Sequence, residues 1–232
     1  MESFERNSED DLKVLIAHAI KVGQSLKGVE IPKGNGRIKF IEPLFKKTID
    51  HIISAFFLYS GKGLILNDKI YSSVDFPSIA VLTRAAIETY LTFNYIFINP
   101  EDQDEEDFRF LCWDLAGIVE RENYPVRNVH SKKVHSDEQV IKSRLVKELE
   151  NNKIFKNLPS RGRRNIIEGN WRNKKGWATL AKEAKLLPND FKHIYSHICS
   201  YAHSGRLSII QIQQTNGFIL EQKFSEIYLL LC

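Results

Sequence analysis

The chain is predicted to be an all-α protein, a helical bundle around a buried central helix, and three features of the sequence carry that prediction. The first is the run Phe76 to Ile98, apolar almost throughout, with Arg84 and Glu88 set one helical turn apart near its middle. The second is apolar spacing at helical intervals in most remaining segments, each opened by acids or small polar residues and closed by Gly or Pro. The third is that period-two alternation stands out in one place only, on either side of Asn216 and Gly217, where a small C-terminal β-hairpin competes with a helix.

Composition sets the outer limits. The 232 residues are 43% hydrophobic and 27% charged, an ordinary globular balance and a length that can bury a substantial core. The expected organisation is one helical domain over 1–232, with a basic, mobile insert at about 152–176. Three well-separated cysteines, Cys112, Cys199 and Cys232, and a polar opening, MESFERNSEDD, predict a reduced, cytoplasmic setting. The central run approaches the roughly 20 residues that cross a bilayer. A charge at mid-membrane costs about 2.5 to 3.5 kcal/mol, however, and this run holds two, so no membrane partner is expected.

In chain order, Ser8 with the acids at 9–11 opens a first helix to about residue 27, whose apolar stripe is Leu12, Leu15, Ile16, Ala19, Ile20 and Val22. Pro32, Gly34 and Gly36 make a loop, and a second amphipathic helix runs from Pro43 to Tyr59, ending at Gly61. The polar stretch LNDKIYSSVD is expected as turns, and Asp75 caps the central helix with Pro77 in its first turn. Successive residues at about 100° put Arg84, Glu88 and Tyr95 on one strip of that helix.

Acids at 101–107 load the start of a fourth helix, which buries Phe108, Leu111, Cys112, Leu115, Ile118 and Val119 and ends at Tyr124 and Pro125. Ser136 and Gln139 read as a capping box for a fifth helix to Asn151. After short helical pieces, GWATLAKEAKLL forms a helix stopped by Pro188. Asn189 and Asp190 cap FKHIYSHICSYAHSG, which ends at Gly205, and the chain finishes on IYLLLC, apolar enough to dock on the core.

Charge is unevenly spread. Residues 127–192 hold 17 lysines and arginines against 7 acids in a chain whose net charge is only +4. The densest part carries Lys153, Lys156, Arg161, Arg163, Arg164, Arg172, Lys174 and Lys175, with Phe155, Trp171 and Trp177 interleaved. Cations mixed with aromatic rings suit a nucleic-acid backbone and its bases, whereas a solvated surface offsetting the acids at 101–107 is the plainer account.

Two constellations could carry chemistry. Arg84 and Glu88 form either a structural ion pair or an anion clamp in which the carboxylate orients the guanidinium. The polar helix KHIYSHICSYAHSGR supplies Tyr195 and His203, the latter at a helix end beside Arg206 and able to act as general acid or base. His193 and His197 stand one turn apart, but the sequence provides neither a third ligand nor a local cysteine pair, so no metal site is assigned. Gly-rich phosphate loops, paired catalytic carboxylates, nucleophile elbows and zinc ribbons are missing from the sequence, and no cofactor is called for.

LTRAAIETYLTFNYIF, GWATLAKEAKLL and IYSHICSYAHSG together resemble an uncharacterised family of prokaryotic helical proteins, in which an Arg-x-x-x-Glu helix precedes a Tyr-x-x-x-Ser-x-x-x-His helix. The matching positions are Arg84, Glu88, Trp177, Tyr195, Cys199 or Ser200, and His203, within about residues 40–206. That family is in turn similar to the HEPN superfamily of all-helical, often dimeric proteins. Many of these are metal-independent ribonucleases in antiviral defence or stress systems. The resemblance implies a cytoplasmic homodimer that binds RNA, with His203, Arg84, Glu88 and Tyr195 as catalytic residues. Arg161, Arg163, Arg164, Arg172, Lys174, Lys175 and Arg206 would then contact the RNA. The HEPN signature places an arginine, then four to six intervening residues, then the histidine on one helix. Here Ser196, His197 and Ile198 occupy those places, so the arginine must come from Arg84 or Arg206. A non-catalytic, dimerising protein-interaction module is the alternative.

Overall fold

A computed structural model describes residues 8–25, 28–30, 36–66, 69–186, 189–203 and 205–215. It is all-α in class: ten α-helices and one two-stranded hairpin among the described residues. The chain divides into two compact units, one comprising 1–91 and 187–232, the other 92–186. None of the described helices is long and apolar enough to cross a membrane.

In the first unit, α1 (Ser8–Ser25) packs on α2 (Ile41–Tyr59). Only part of the stripe expected on α1 is covered. Leu12 is buried and Ile16 and Ala19 are half-buried at helical spacing behind it, while Leu15, Ile20 and Val22 face solvent. A short 3₁₀ turn, Ile38–Phe40, leads into α2, and Gly61, at φ +87°, follows its end in a conformation that costs glycine little. The stretch expected as turns is instead an antiparallel hairpin, β1 (Lys62–Leu66) with β2 (Lys69–Ser73), Lys62 opposite Ser73 and Leu66 opposite Lys69.

The central helix α3 (Phe76–Phe93) starts where Asp75 predicts, with Ser78 N donating to Asp75 Oδ1 at 3.2 Å. Ile79, Ala80, Ala86 and Leu91 are buried along it. It does not run on as α-helix to Ile98. Residues Asn94–Ile98 form a π-helical turn, closed by Asn99 N donating to Asn94 O at 2.9 Å. One residue of extra winding breaks the 100° count. Tyr95, in this turn, belongs to the second unit.

The second unit has its own core. Its spine is α4 (Gln103–Glu122), capped by Asp102, whose carboxylate accepts from Glu105 N at 2.8 Å. Phe108, Cys112, Leu115 and Ile118 of α4 are buried against Leu145 and Leu149 of α5 (Val129–Asn151). Burial also raises the Cys112 thiol pKa, so it serves as a small apolar residue. Helix α5 begins well before Ser136, because Asn128 and Ser131 form the capping box. Asn128 Oδ1 accepts from Ser131 N at 2.8 Å and Ser131 Oγ accepts from Asn128 N at 3.0 Å.

The basic stretch 152–176 contributes Phe155 and Ile166 to this core. Asn152 caps α6 (Lys153–Asn157), which buries Phe155, and α7 (Ser160–Ile167) buries Ile166. Burying each such side chain stabilises by roughly 1.5 to 3 kcal/mol. Gly169, at φ +93°, then turns the chain so close to α4 that an added Cβ would lie 3.2 Å from Val119. Helix α8 (Trp177–Glu183) completes the unit.

Back in the first unit, α9 (Phe191–Ala202) precedes α10 (Arg206–Thr215). Asp190 occupies the cap position of α9 without a side-chain bond to the backbone. The residues before Asn216 are helical, so the first arm of the C-terminal hairpin is corrected to α10. The Asn216–Gly217 turn and the IYLLLC end lie outside the described residues.

Candidate functional site

Helix α3 sets Arg84 and Glu88 on one edge by their spacing of four, and the two side chains pair, Arg84 Nε donating to Glu88 Oε1 at 2.8 Å. Both keep 25% of their side-chain surface exposed, so the pair sits at the rim of the core. Helix α9 supplies the other half. Tyr195 donates its hydroxyl proton to the same Glu88 oxygen, and the Arg84 guanidinium lies 5.9 Å from the Tyr195 ring centre. Phe191, one turn earlier, stacks on that ring at 5.3 Å and holds it in place.

His203 reaches the cluster because α9 stops there. Its backbone leaves helical geometry, at φ −110° and ψ 15°, while His203 N still donates to Cys199 O at 3.2 Å. Gly205 N donates to Ser200 O at 2.8 Å, and an added Cβ on Gly205 would lie 3.2 Å from Ser200 Cβ, so the chain turns tightly against the last helical turn. Ser208, buried at the start of α10, has its hydroxyl 2.7 Å from Gly205 O and 3.1 Å from Ser200 O. This fastening brings His203 Nε2 to 3.1 Å from Arg84 Nη1, across 119 residues of sequence.

Chemistry assigns the proton. A guanidinium only donates, so Nε2 must accept and the imidazole in this contact is neutral, with its hydrogen on Nδ1. The Glu88 hydrogen bond, with lesser help from its charge, holds the Arg84 guanidinium above its already high pKa. Burial first, then the Glu88 carboxylate, pushes the Tyr195 phenol up. The result is a fixed cation beside a neutral imidazole, the pairing that anion binding and proton transfer both use. Among the described residues no acceptor is bonded to Arg84 Nη2.

The four residues Arg84, Glu88, Tyr195 and His203 are thus brought together, although no spacing rule on a single helix links them. Phe191, Gly205 and Ser208 position the cluster; Gly205 was expected only as the helix end, and Phe191 and Ser208 were not singled out from the sequence. Phe191 carried the one usable signal, its i,i+4 relation to Tyr195. His193 is exposed, and His197 sets its ring edge-on against Tyr201 at 5.4 Å. Arg206 is exposed at the first turn of α10.

The other basic candidates lie in the second unit. Arg161 and Arg164 are exposed on α7, and Arg163 is half-buried, donating to Lys156 O at 3.4 Å. Arg164 faces Glu168 at 3.6 Å and Lys175 pairs with Glu183 at 2.8 Å. Arg172 lies over the Trp177 ring at 4.3 Å, and Lys174 is exposed in the turn before α8. Phe155 is in the core and has no face to offer.

Fold and cluster together define the class: an all-α protein in which two helices distant in sequence join an arginine–glutamate pair to a tyrosine and a histidine. The chain belongs to DUF5677, a family of unknown function, whose model matches residues 46–218. That span contains the whole cluster and the basic stretch. No curated protein and no solved structure matches the chain.

Proposed function

We propose that the protein is a HEPN-like RNA-binding protein acting as a metal-independent ribonuclease, a homodimer in a prokaryotic defence or stress response. The observation that carries this reading is the 3.1 Å contact between Arg84 and His203. It supplies from two helices the arginine and histidine that the HEPN signature carries on one. An RNA phosphate entering the site takes over the Arg84 donors, which frees the Nε2 lone pair of His203. The imidazole then accepts the proton of the ribose 2′-hydroxyl as that oxygen bonds to phosphorus. Arg84 stabilises the charge gathering on the non-bridging oxygens, and the 5′-oxygen departs with a proton returned from the imidazolium or water, leaving a cyclic phosphate. Glu88, held by Tyr195, keeps the guanidinium oriented, and the basic residues grip the strand.

The test is incubation of purified protein with mixed RNA, with and without chelator, beside His203→Ala and Arg84→Ala variants whose circular dichroism matches the parent. Chelator-insensitive cleavage that falls about 10²- to 10⁴-fold in the histidine variant is expected. No cleavage and no salt-dependent RNA binding would overturn the reading in favour of an interaction module.

A further inference from the structure

We propose that Trp171, Arg172 and Trp177 form a stacking platform for the unpaired bases of a single nucleic-acid strand. The proposal rests on nucleic acid being the ligand and adds which form of it is bound and where.

The segment is built around rings that are partly exposed. Trp171 is anchored on the buried Tyr95, ring centres 5.7 Å apart, and Trp177 stands edge-on to it at 6.4 Å. Both indoles are half-buried, so each keeps surface in solvent. The Arg172 guanidinium lies 4.3 Å from the Trp177 ring centre and 5.6 Å from that of Trp171. The guanidinium is thus in cation–π contact with Trp177 and near the Trp171 ring, which keeps its charge beside both indoles.

Its charge is not neutralised. Three cations of the basic stretch are paired: Lys175 with Glu183 at 2.8 Å, Arg164 with Glu168 at 3.6 Å, Lys153 with Asp104 at 2.9 Å. Among the described residues no carboxylate pairs with Arg172 or Lys174, and no acceptor bonds to the Arg172 guanidinium. The turn between them is strained, with Asn173 at φ 46° and Lys174 at φ 68°, two consecutive left-handed residues that are not glycine. Asn170 holds it, accepting Asn173 N on its carbonyl at 3.2 Å and Lys174 N on its side-chain oxygen at 3.4 Å.

An aromatic face beside unpaired cations matches one nucleotide, ring on ring and phosphate on guanidinium. Duplex bases are already stacked on one another and offer only their backbone, so the platform selects unpaired bases. RNA and DNA single strands share this chemistry.

The experiment titrates the full chain by tryptophan fluorescence with single-stranded 2′-O-methyl oligoadenylate, which lacks the attacking hydroxyl and cannot be cleaved. Parallel arms use oligodeoxyadenylate, a fully paired RNA hairpin and polyglutamate. Quenching by both single strands and little by the hairpin is expected. Trp177→Ala should weaken single-strand binding about ten- to a hundredfold, with Trp177→Phe largely restoring it, while Lys174→Ala flattens the salt dependence by about 0.7 in slope. Equal affinity in Trp177→Ala, equal quenching by the hairpin, or quenching by polyglutamate alone overturns the proposal, the last pointing to an acidic protein partner. Cleavage of ordinary RNA without quenching would sink the platform and leave the ribonuclease standing, whereas quenching without cleavage would do the reverse.

Discussion

Tyr195 shows what one proton does for the cluster. Its phenol donates to the Glu88 oxygen that also accepts from Arg84, so one carboxylate oxygen ties α9 to α3. A hydrogen bond to a charged group contributes about 1.5 to 3 kcal/mol, and Tyr195→Phe is expected to lose that amount at neutral pH. The sign with pH follows from the raised phenol. The folded protein binds this proton more tightly than the unfolded chain, where the group ionises near 10.0, so the stabilisation is whole below pH 10 and falls as pH climbs above it. Urea melts of parent and Tyr195→Phe should therefore converge as pH rises past 10; a gap that stays constant would mean that Tyr195 acts through packing alone.

At the scale of elements, the decisive feature is the π turn that ends the central helix. Within the second unit, Arg109 donates to Tyr95 O in this turn at 2.7 Å and to Glu105 at 2.6 Å, with its guanidinium 4.3 Å from the Tyr95 ring centre. Arg109 is only 5% exposed. Arg109→Ala leaves Glu105 and the Tyr95 carbonyl without their donor. A cost of about 3 to 5 kcal/mol is expected in urea denaturation, more than for the rim residue Arg84. An equal effect of the two would argue against this ranking. The amphipathic pattern of α4 made its core face legible, residue by residue, but Arg109 was not, because a buried arginine looks like any surface one until the carbonyl it serves is located.

For the whole molecule, two compact units share one chain, and each has its own buried set. In the second, Leu149 is fully buried against α4. Leu149→Ala should cost about 2 to 5 kcal/mol through lost burial and the cavity left behind. Hydrogen exchange should quicken first in α4 to α7, ahead of α1 and α2; uniform acceleration along the chain would contradict separate cores.

The sequence by itself determined the all-α class, most helix positions, the core face of α4 and the identity of the residues later found clustered. Helical period and capping chemistry are local, and they survive whatever the tertiary context. It missed the strands at 62–66 and 69–73, the early start of α5 and the burial of Phe155. In each case the cue was short, or a long-range contact overrode the local charge. Only the tertiary structure decided that Arg84 meets His203 and that Phe155 goes inward while Trp171 and Trp177 keep exposed surface. Those outcomes depend on contacts spanning many residues, and such distances have no periodic trace in a sequence.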